Sequence, residues 1–477
     1  MVFASPLFLF AFLPLALALY YLTPNRVRNA TLLLLSLAFY AWGEQVGVVV
    51  MLGSIAMNWL GAVAVERFEN TRGQRFVLGA LIAANLGGLA CFKYADFAIE
   101  NANKVLGVFG VAPMPLLALH LPLGISFFTF HAISYVVDVY RGQSRALKNP
   151  LDTALYIALF PQLIAGPIIR YHYIEEQLKK RQPTLEDMAC GIERFVLGLA
   201  KKVLIANVVA RAADQIFTLE PERVGFGVAW LGVAAYATQI YFDFSGYSDM
   251  AVGLGRMFGF KFPENFNYPY SARSVTDFWR RWHISLSSWF RDYLYIPLGG
   301  NRGSPLRTYF NLATVFLLCG LWHGASWNFV IWGILHGSFL IIERTSLGAL
   351  ISGLPRPLQH AYALLVVAVG WVFFRANDLP SALQILKSMA GLSALSIPGY
   401  PVVLYLTPAV AVALLLGSVL STPLAARVKA RLDVAVRSEL RRGLLRALSF
   451  CSILVLFVLS ASFLAARTYN PFIYFRF

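Results

Sequence analysis

The chain is patterned as a succession of long apolar runs joined by short basic loops. Runs long enough to cross a bilayer fall near 1–22, 30–63 (two spans), 76–92, 114–139 and 151–169. More follow near 187–217, 225–242, 310–320 with 328–342, 358–375, 403–421 and 447–466. A span needs about 20 apolar residues, so the pattern predicts roughly ten to twelve helical crossings. There are no heptads, no low-complexity tract and no strong internal repeat, and no hydrophilic block is large enough for a separate soluble domain. Residues 1–477 read as one integral membrane domain, polytopic and all-α.

Loop charge orients these spans. Arg26 and Arg28, then Arg67, Arg72 and Arg75, then Arg141, Arg145 and Lys148 follow the first, third and fifth spans. Basic loops stay cytoplasmic, which puts the N-terminus outside. The start is apolar from its first residue and lacks a basic leader, so it reads as a retained span. The segment 425–446 carries seven basic residues against two acids and is expected to be cytoplasmic too. The run 447–466 then crosses, placing the tail that ends at Phe477 outside.

Composition agrees. The chain is 58% hydrophobic and 13% charged, against about 45–50% and 25% for soluble domains. Mean hydropathy is +0.63. The net charge of +16 fits cytoplasmic loops facing anionic lipid better than nucleic acid, which is not expected as a partner. Cys91, Cys190, Cys319 and Cys451 show neither CxxC nor zinc spacing and read as small buried hydrophobes. No metal site, Walker loop, GxSxG elbow or HExxH is present in the sequence.

One stretch breaks the apolar pattern. Between Ser271 and Phe310 lie six arginines (Arg273, Arg280, Arg281, Arg291, Arg302, Arg307) and two aspartates (Asp277, Asp292), interleaved with aromatics such as Trp279, Trp282 and Trp289. Eight charges at bilayer depth would cost roughly 20 kcal/mol or more on insertion scales. The stretch must lie at an interface or line a hydrated, protein-walled cavity. A helix is expected from about Thr276 to Phe290, started by Ser274-Val275-Thr276-Asp277. On it Trp279 and His283 would be i, i+4 neighbours. An amphipathic interfacial helix with a Trp anchor explains the pattern equally well.

The next segment, Gly320-Leu321-Trp322-His323-Gly324-Ala325, lies between two apolar runs. Intramembrane histidines tend to be functional or paired, and imidazole suits proton transfer near neutral pH. His336, in Leu335-His336-Gly337, would not share a face with His323 on a continuous helix and reads as structural. His120 and His131 read as core residues, His172 lies in a basic loop and His360 at a span edge. Asp243 and Asp249 sit in a Ser/Gly-containing membrane break, as an ion or sugar site or as acids paired with nearby arginines.

Three segments carry a family resemblance: YFDFSGYSDMAVGLG (241–255), NFNYPYSARSVTDFWRRWHISLSSWFRDYLYIPLGGNR (265–302) and GLWHGASWNFVIWGILHG (320–337). They closely resemble the membrane-bound O-acyltransferase family. The start MVFASPLFLFAFLPL, LGISFFTFHAISYVVDVYRG (123–142) and FPQLIAGPIIR (160–170) resemble its alginate-acetylating branch. The resemblance implies a ring of membrane helices, with short re-entrant or interfacial helices, around a central funnel. It puts the catalytic histidine on His323 and the second signature position, His or Asn, on His283. Arg281, Trp282, Asp292, Trp322, His336, Asp243 and Asp249 become candidates to line or support the channel. The implied donor is acetyl-CoA, as substrate rather than bound cofactor. The implied partners are a periplasmic SGNH-hydrolase-like acetyltransferase and, through it, a polysaccharide, at the bacterial inner membrane. The tail, Pro471-Phe472-Ile473-Tyr474-Phe475-Arg476-Phe477, resembles an acyl-carrying tyrosine motif, and reads equally as an aromatic belt anchor. Transfer of another acyl group such as D-alanyl, a transporter, and a scaffold for a periplasmic transferase are the competing readings. The repeat symmetry and broken helices of a transporter are not evident in the sequence.

Overall fold

The computed structural model describes residues 1–393, 399–435, 439–466 and 469–471. Among them the regular structure is entirely helical, with no strand. This follows from the medium, because in lipid a helix satisfies every backbone group within its own segment.

Among the described residues, four helices are long and apolar enough to cross a membrane: Gly47–Arg67, Arg72–Val108, Arg356–Arg375 and Arg442–Ala466. The pair Trp327–Ile342 and Ser346–Gly353, bent by 81°, makes a fifth candidate. Several apolar runs instead form helices too short to span alone, such as Phe8–Leu22, Ile125–Tyr140 and Pro408–Leu420. Two of the other expected runs depart from a plain apolar helix for local reasons. Pro161 and Gly166 break the run 151–169 into the helices Pro150–Ala158 and Phe160–Leu163, and the 32-residue helix Phe226–Met257 carries Asp243, Asp249 and Arg256.

Burial separates lipid-facing helices from interior ones. Only 17% of the most apolar window of Arg72–Val108 and 11% of that of Arg442–Ala466 is buried. Their side chains therefore present apolar surface outward, as a bilayer requires. Cys91 and Cys451 lie on these helices and are exposed, Cys190 is half-buried, and only Cys319 is buried as the sequence suggested for all four.

The chain groups into two compact units. The first comprises Met1–Ile192, Ala251–Pro263 and Gly324–Ser326. Its core holds a cluster of Phe3, Phe8, Phe12, Phe39 and Phe160, and Asn58 and Asn85 exchange side-chain amide hydrogen bonds at 2.8 and 3.1 Å. The second comprises Glu193–Met250, Glu264–His323 and Trp327–Phe477. It contains both signature histidines, and the site is built within it.

Candidate functional site

The polar stretch folds as two short helices rather than one. The first, Val275–Trp279, starts as the sequence suggests: Ser274 Oγ accepts from the Asp277 N–H at 2.9 Å. The Glu343 carboxylate caps the same end, accepting from the N–H groups of Val275 and Thr276 at 2.6 and 2.9 Å. The second helix is Ile284–Phe290. Between them the backbone leaves the helix. Asn267 N–H donates to the Arg281 carbonyl and Ile284 N–H to the Asn265 carbonyl, both at 2.9 Å. His283 takes φ +44° and ψ +54°, a left-handed conformation uncommon outside glycine. The expected i, i+4 relation of Trp279 to His283 is therefore not formed.

The turn carries His283 into the interior, at 0% exposure. Its Nδ1 lies 3.1 Å from Asn265 Oδ1, which also accepts from Ser285 N–H at 3.1 Å and from Ser285 Oγ at 2.9 Å. A backbone N–H can only donate, so the Asn265 atom is its oxygen. His283 Nδ1 must then carry the proton. Nε2 is buried without a hydrogen-bond partner among the described residues. In a neutral ring it presents a lone pair.

His323 ends the helix Pro305–His323, which pairs with Trp327–Ile342 as a hairpin. The pairing depends on two glycines. A Cβ on Gly320 would meet the Phe329 carbonyl oxygen at 2.3 Å, and one on Gly333 the Phe316 oxygen at 2.3 Å. The helices therefore touch backbone to backbone. Asn328 Nδ2 donates to the Ala376 carbonyl at 2.9 Å and ties the hairpin to the end of Arg356–Arg375. His323 is 6% exposed and boxed by aromatic rings. Trp322, Trp332 and Phe374 meet it edge-on, with centroids 4.9, 4.9 and 5.0 Å away.

Trp322 joins the two histidines: its ring lies 4.9 Å from His323 and 6.3 Å from His283. His336 belongs to the same aromatic cluster, 5.0 Å from Trp332, although the helix break after His323 and not a shared helix face brings it there. Its Nδ1 accepts from Trp279 Nε1 at 3.3 Å, and Gly370 makes room for its ring. Trp332 Nε1, beside His323, is buried and has no hydrogen-bond partner among the described residues.

The charged candidates separate from this cluster. Arg281 pairs with Asp277 and Asp292 with Arg291, both at 2.7 Å. The other arginines of the stretch are exposed, while Trp279 and Trp282 are buried. Asp243 and Asp249 lie on an uninterrupted helix, not in a break. Their partners come from the neighbouring helix: Lys202 for Asp243 at 2.7 Å, and Lys201 and Arg194 for Asp249 at 2.6 and 2.7 Å. Gly246 serves a helix crossing, since a Cβ there would meet the Gly198 carbonyl at 2.7 Å. His120 meets Glu44, His172 meets Asp138 and His360 meets the Ala272 carbonyl. His131 is buried and accepts from Ile169 N–H. Tyr474 lies outside the described residues. Asn265, Glu343, Trp332 and Lys202 were not singled out by sequence. Only Lys202 carried a signal, as a cation inside an apolar run.

The sequence model of the membrane-bound O-acyltransferase family matches residues 116–375, which include both histidines, Trp322 and the glycine-pinned hairpin. The chain belongs to this family. It is an O-acyltransferase and a multi-pass membrane protein. It is 42% identical to a probable alginate O-acetylase of Azotobacter vinelandii over 505 residues, covering all of both chains. It is 48% identical to a probable alginate O-acetylase of Pseudomonas aeruginosa over 395 residues, 82% of this chain and 75% of the relative. A peptidoglycan O-acetyltransferase of Helicobacter pylori is 39% identical over 432 residues, 83% of this chain and 81% of that one.

Proposed function

We propose that this O-acyltransferase takes an acetyl group from cytoplasmic acetyl-CoA and delivers it for O-acetylation of an extracytoplasmic polysaccharide of the alginate type, at the bacterial inner membrane. The relatives named for alginate acetylation, one similar over the full length, support the acceptor class. The observation that carries the chemistry is the shared Trp322, whose ring touches both His283 and His323 in one buried cluster.

His323 acts as general base. It takes the proton of an acceptor hydroxyl as that oxygen attacks the thioester carbon. The tetrahedral intermediate collapses, the C–S bond breaks, and the imidazolium returns the proton to the departing thiolate. His283, with Nδ1–H committed to Asn265, offers Nε2 as a hydrogen-bond acceptor. That suits orienting the acceptor O–H better than donating to the oxyanion, which would require a protonated ring. General-base catalysis supplies about 10²–10⁴-fold, and positioning must add the rest. Cytoplasmic Lys and Arg side chains meet the donor's phosphates.

Tyr474 is the first acceptor, and a periplasmic SGNH-hydrolase-like partner passes the group on to sugar hydroxyls. Two observations support this reading. The seven basic residues of segment 425–446 favour a cytoplasmic loop there and so a tail on the outer face. Residues Tyr469, Asn470 and Pro471 are held by partners inside the second unit, and Tyr474 follows Pro471 by three residues, at most about 10 Å of chain. The Helicobacter relative favours a second acceptor, peptidoglycan. Membranes given acetyl-labelled CoA test both points. Base-labile label is expected on the Tyr474 peptide and then on alginate. Label that reaches polymer equally well in Tyr474→Phe removes the carrier, and label on peptidoglycan alone removes the alginate acceptor.

A further inference from the structure

Residues 469–471, beyond the last helix, are tied down one by one. The Tyr469 hydroxyl donates to Asp214, and the Arg211 guanidinium lies 5.3 Å from its ring centroid. Asn470 Oδ1 accepts from Asn207 Nδ2 at 3.0 Å. The Pro471 carbonyl accepts from the Lys202 ammonium. As the tail advances from 469 to 471, its partners run backward through 214 and 211, then 207, then 202. The tail is therefore antiparallel to the helical segment made of Lys201–Ala206 and Asn207–Phe217.

Lys202 and Asn207 would not share a face of an ordinary α-helix, because five residues place them about 140° apart. The π geometry of Lys201–Ala206 changes this. Its i→i+5 turn closes after about that many residues and brings Lys202 onto the Asn207 side. π turns occur often at functional sites.

Lys202 is also a buried charge. Its side chain is 4% exposed and pairs with that of Asp243, 1% exposed, at 2.7 Å. An ammonium has three donors, so it can hold Asp243 and the Pro471 carbonyl together. Asp243 is followed by Phe244, whose ring stands edge-on to His283 at 4.6 Å. One ammonium thus connects the tail to the helix position beside the ring that packs on His283. Docking the tail for stability alone would need only a neutral donor at this depth, with no desolvated ion pair.

We infer that Lys202 is a positioning residue for acyl transfer, fixing Pro471 beside Asp243 on the helix whose Phe244 packs on His283. The inference rests on the reading of the tail as acyl carrier.

The test uses the full-length chain in membranes. Lys202→Met combined with Asp243→Leu removes the pair without leaving a lone buried charge. One readout is chymotrypsin cleavage after Tyr469, followed by intact mass. The other is acetyl transfer, resolved into kcat and KM for acetyl-CoA. In the double variant cleavage is expected to be about tenfold faster, the loss expected for one charge-assisted hydrogen bond. A fall of about tenfold in kcat is expected with KM unchanged. Lys202→Arg restores both. His323→Ala loses transfer and leaves cleavage unchanged. Asn207→Leu, which creates no buried charge, is expected to speed cleavage by about threefold and serves if the double variant fails to insert. Unchanged cleavage in these variants, or unchanged kcat despite faster cleavage, overturns the inference. Transfer that survives Tyr474→Phe overturns the carrier reading separately, because the cleavage contrast does not depend on it.

Discussion

His283 and Asn265 are 18 residues apart in sequence, yet the Nδ1 of one lies 3.1 Å from the Oδ1 of the other. Because Asn265 Oδ1 also receives the Ser285 N–H, its identity as an acceptor is fixed and so is the histidine tautomer. Asn265→Ala orphans the Ser285 N–H and releases the ring. The expected cost is about 1–3 kcal/mol in stability, with kcat down about tenfold from lost orientation. Asn265→Asp keeps an oxygen in place and should retain much more activity. Equal activity in Asn265→Ala and the wild type, measured as acetyl transfer in purified protein, would remove the orienting role.

The backbone at His283 makes a second, separable expectation. At φ +44°, asparagine is among the residues that tolerate the left-handed region, whereas a β-branched residue is not. His283→Val should therefore be less stable than His283→Asn by about 1–2 kcal/mol, beyond whatever both lose in catalysis. Thermal unfolding in detergent compares them. Identical midpoints would mean that the turn relaxes.

Gly320 and Gly333 set the depth of the hairpin that carries His323. A methyl group at Gly320 would stand 2.3 Å from the Phe329 carbonyl oxygen, a backbone atom that cannot rotate away. Gly320→Ala is expected to cost about 1–3 kcal/mol or to displace the hairpin. Gly353→Ala, with open space around it, should be nearly neutral. Comparable stability losses in the two would contradict the close approach.

Much of the site was legible because its chemistry is local. His323 between glycines, and the Ser274 start signal, both stand in the chain as they stand in the fold. The break at His283 was not legible, since it depends on backbone pairing with Asn265–Asn267, outside the helical pattern. Asp243–Asp249 reads as an interruption because Gly246 and the serines look like breakers, yet that glycine serves a crossing with Gly198. The break within the run 151–169 was not legible for a related reason: composition gives the medium but not where a helix stops. The arginines that marked the polar stretch are mostly exposed, and the aromatic and histidine residues between them form the interior.

The most direct measurement is acetyl transfer from acetyl-CoA by purified, folded His323→Ala beside the wild type. Removing a general base is expected to lower kcat by about 10²–10⁴-fold, with the His283–Asn265 arrangement and thermal stability retained. Transfer at the wild-type rate in that variant would contradict the assignment of His323 and the mechanism built on it.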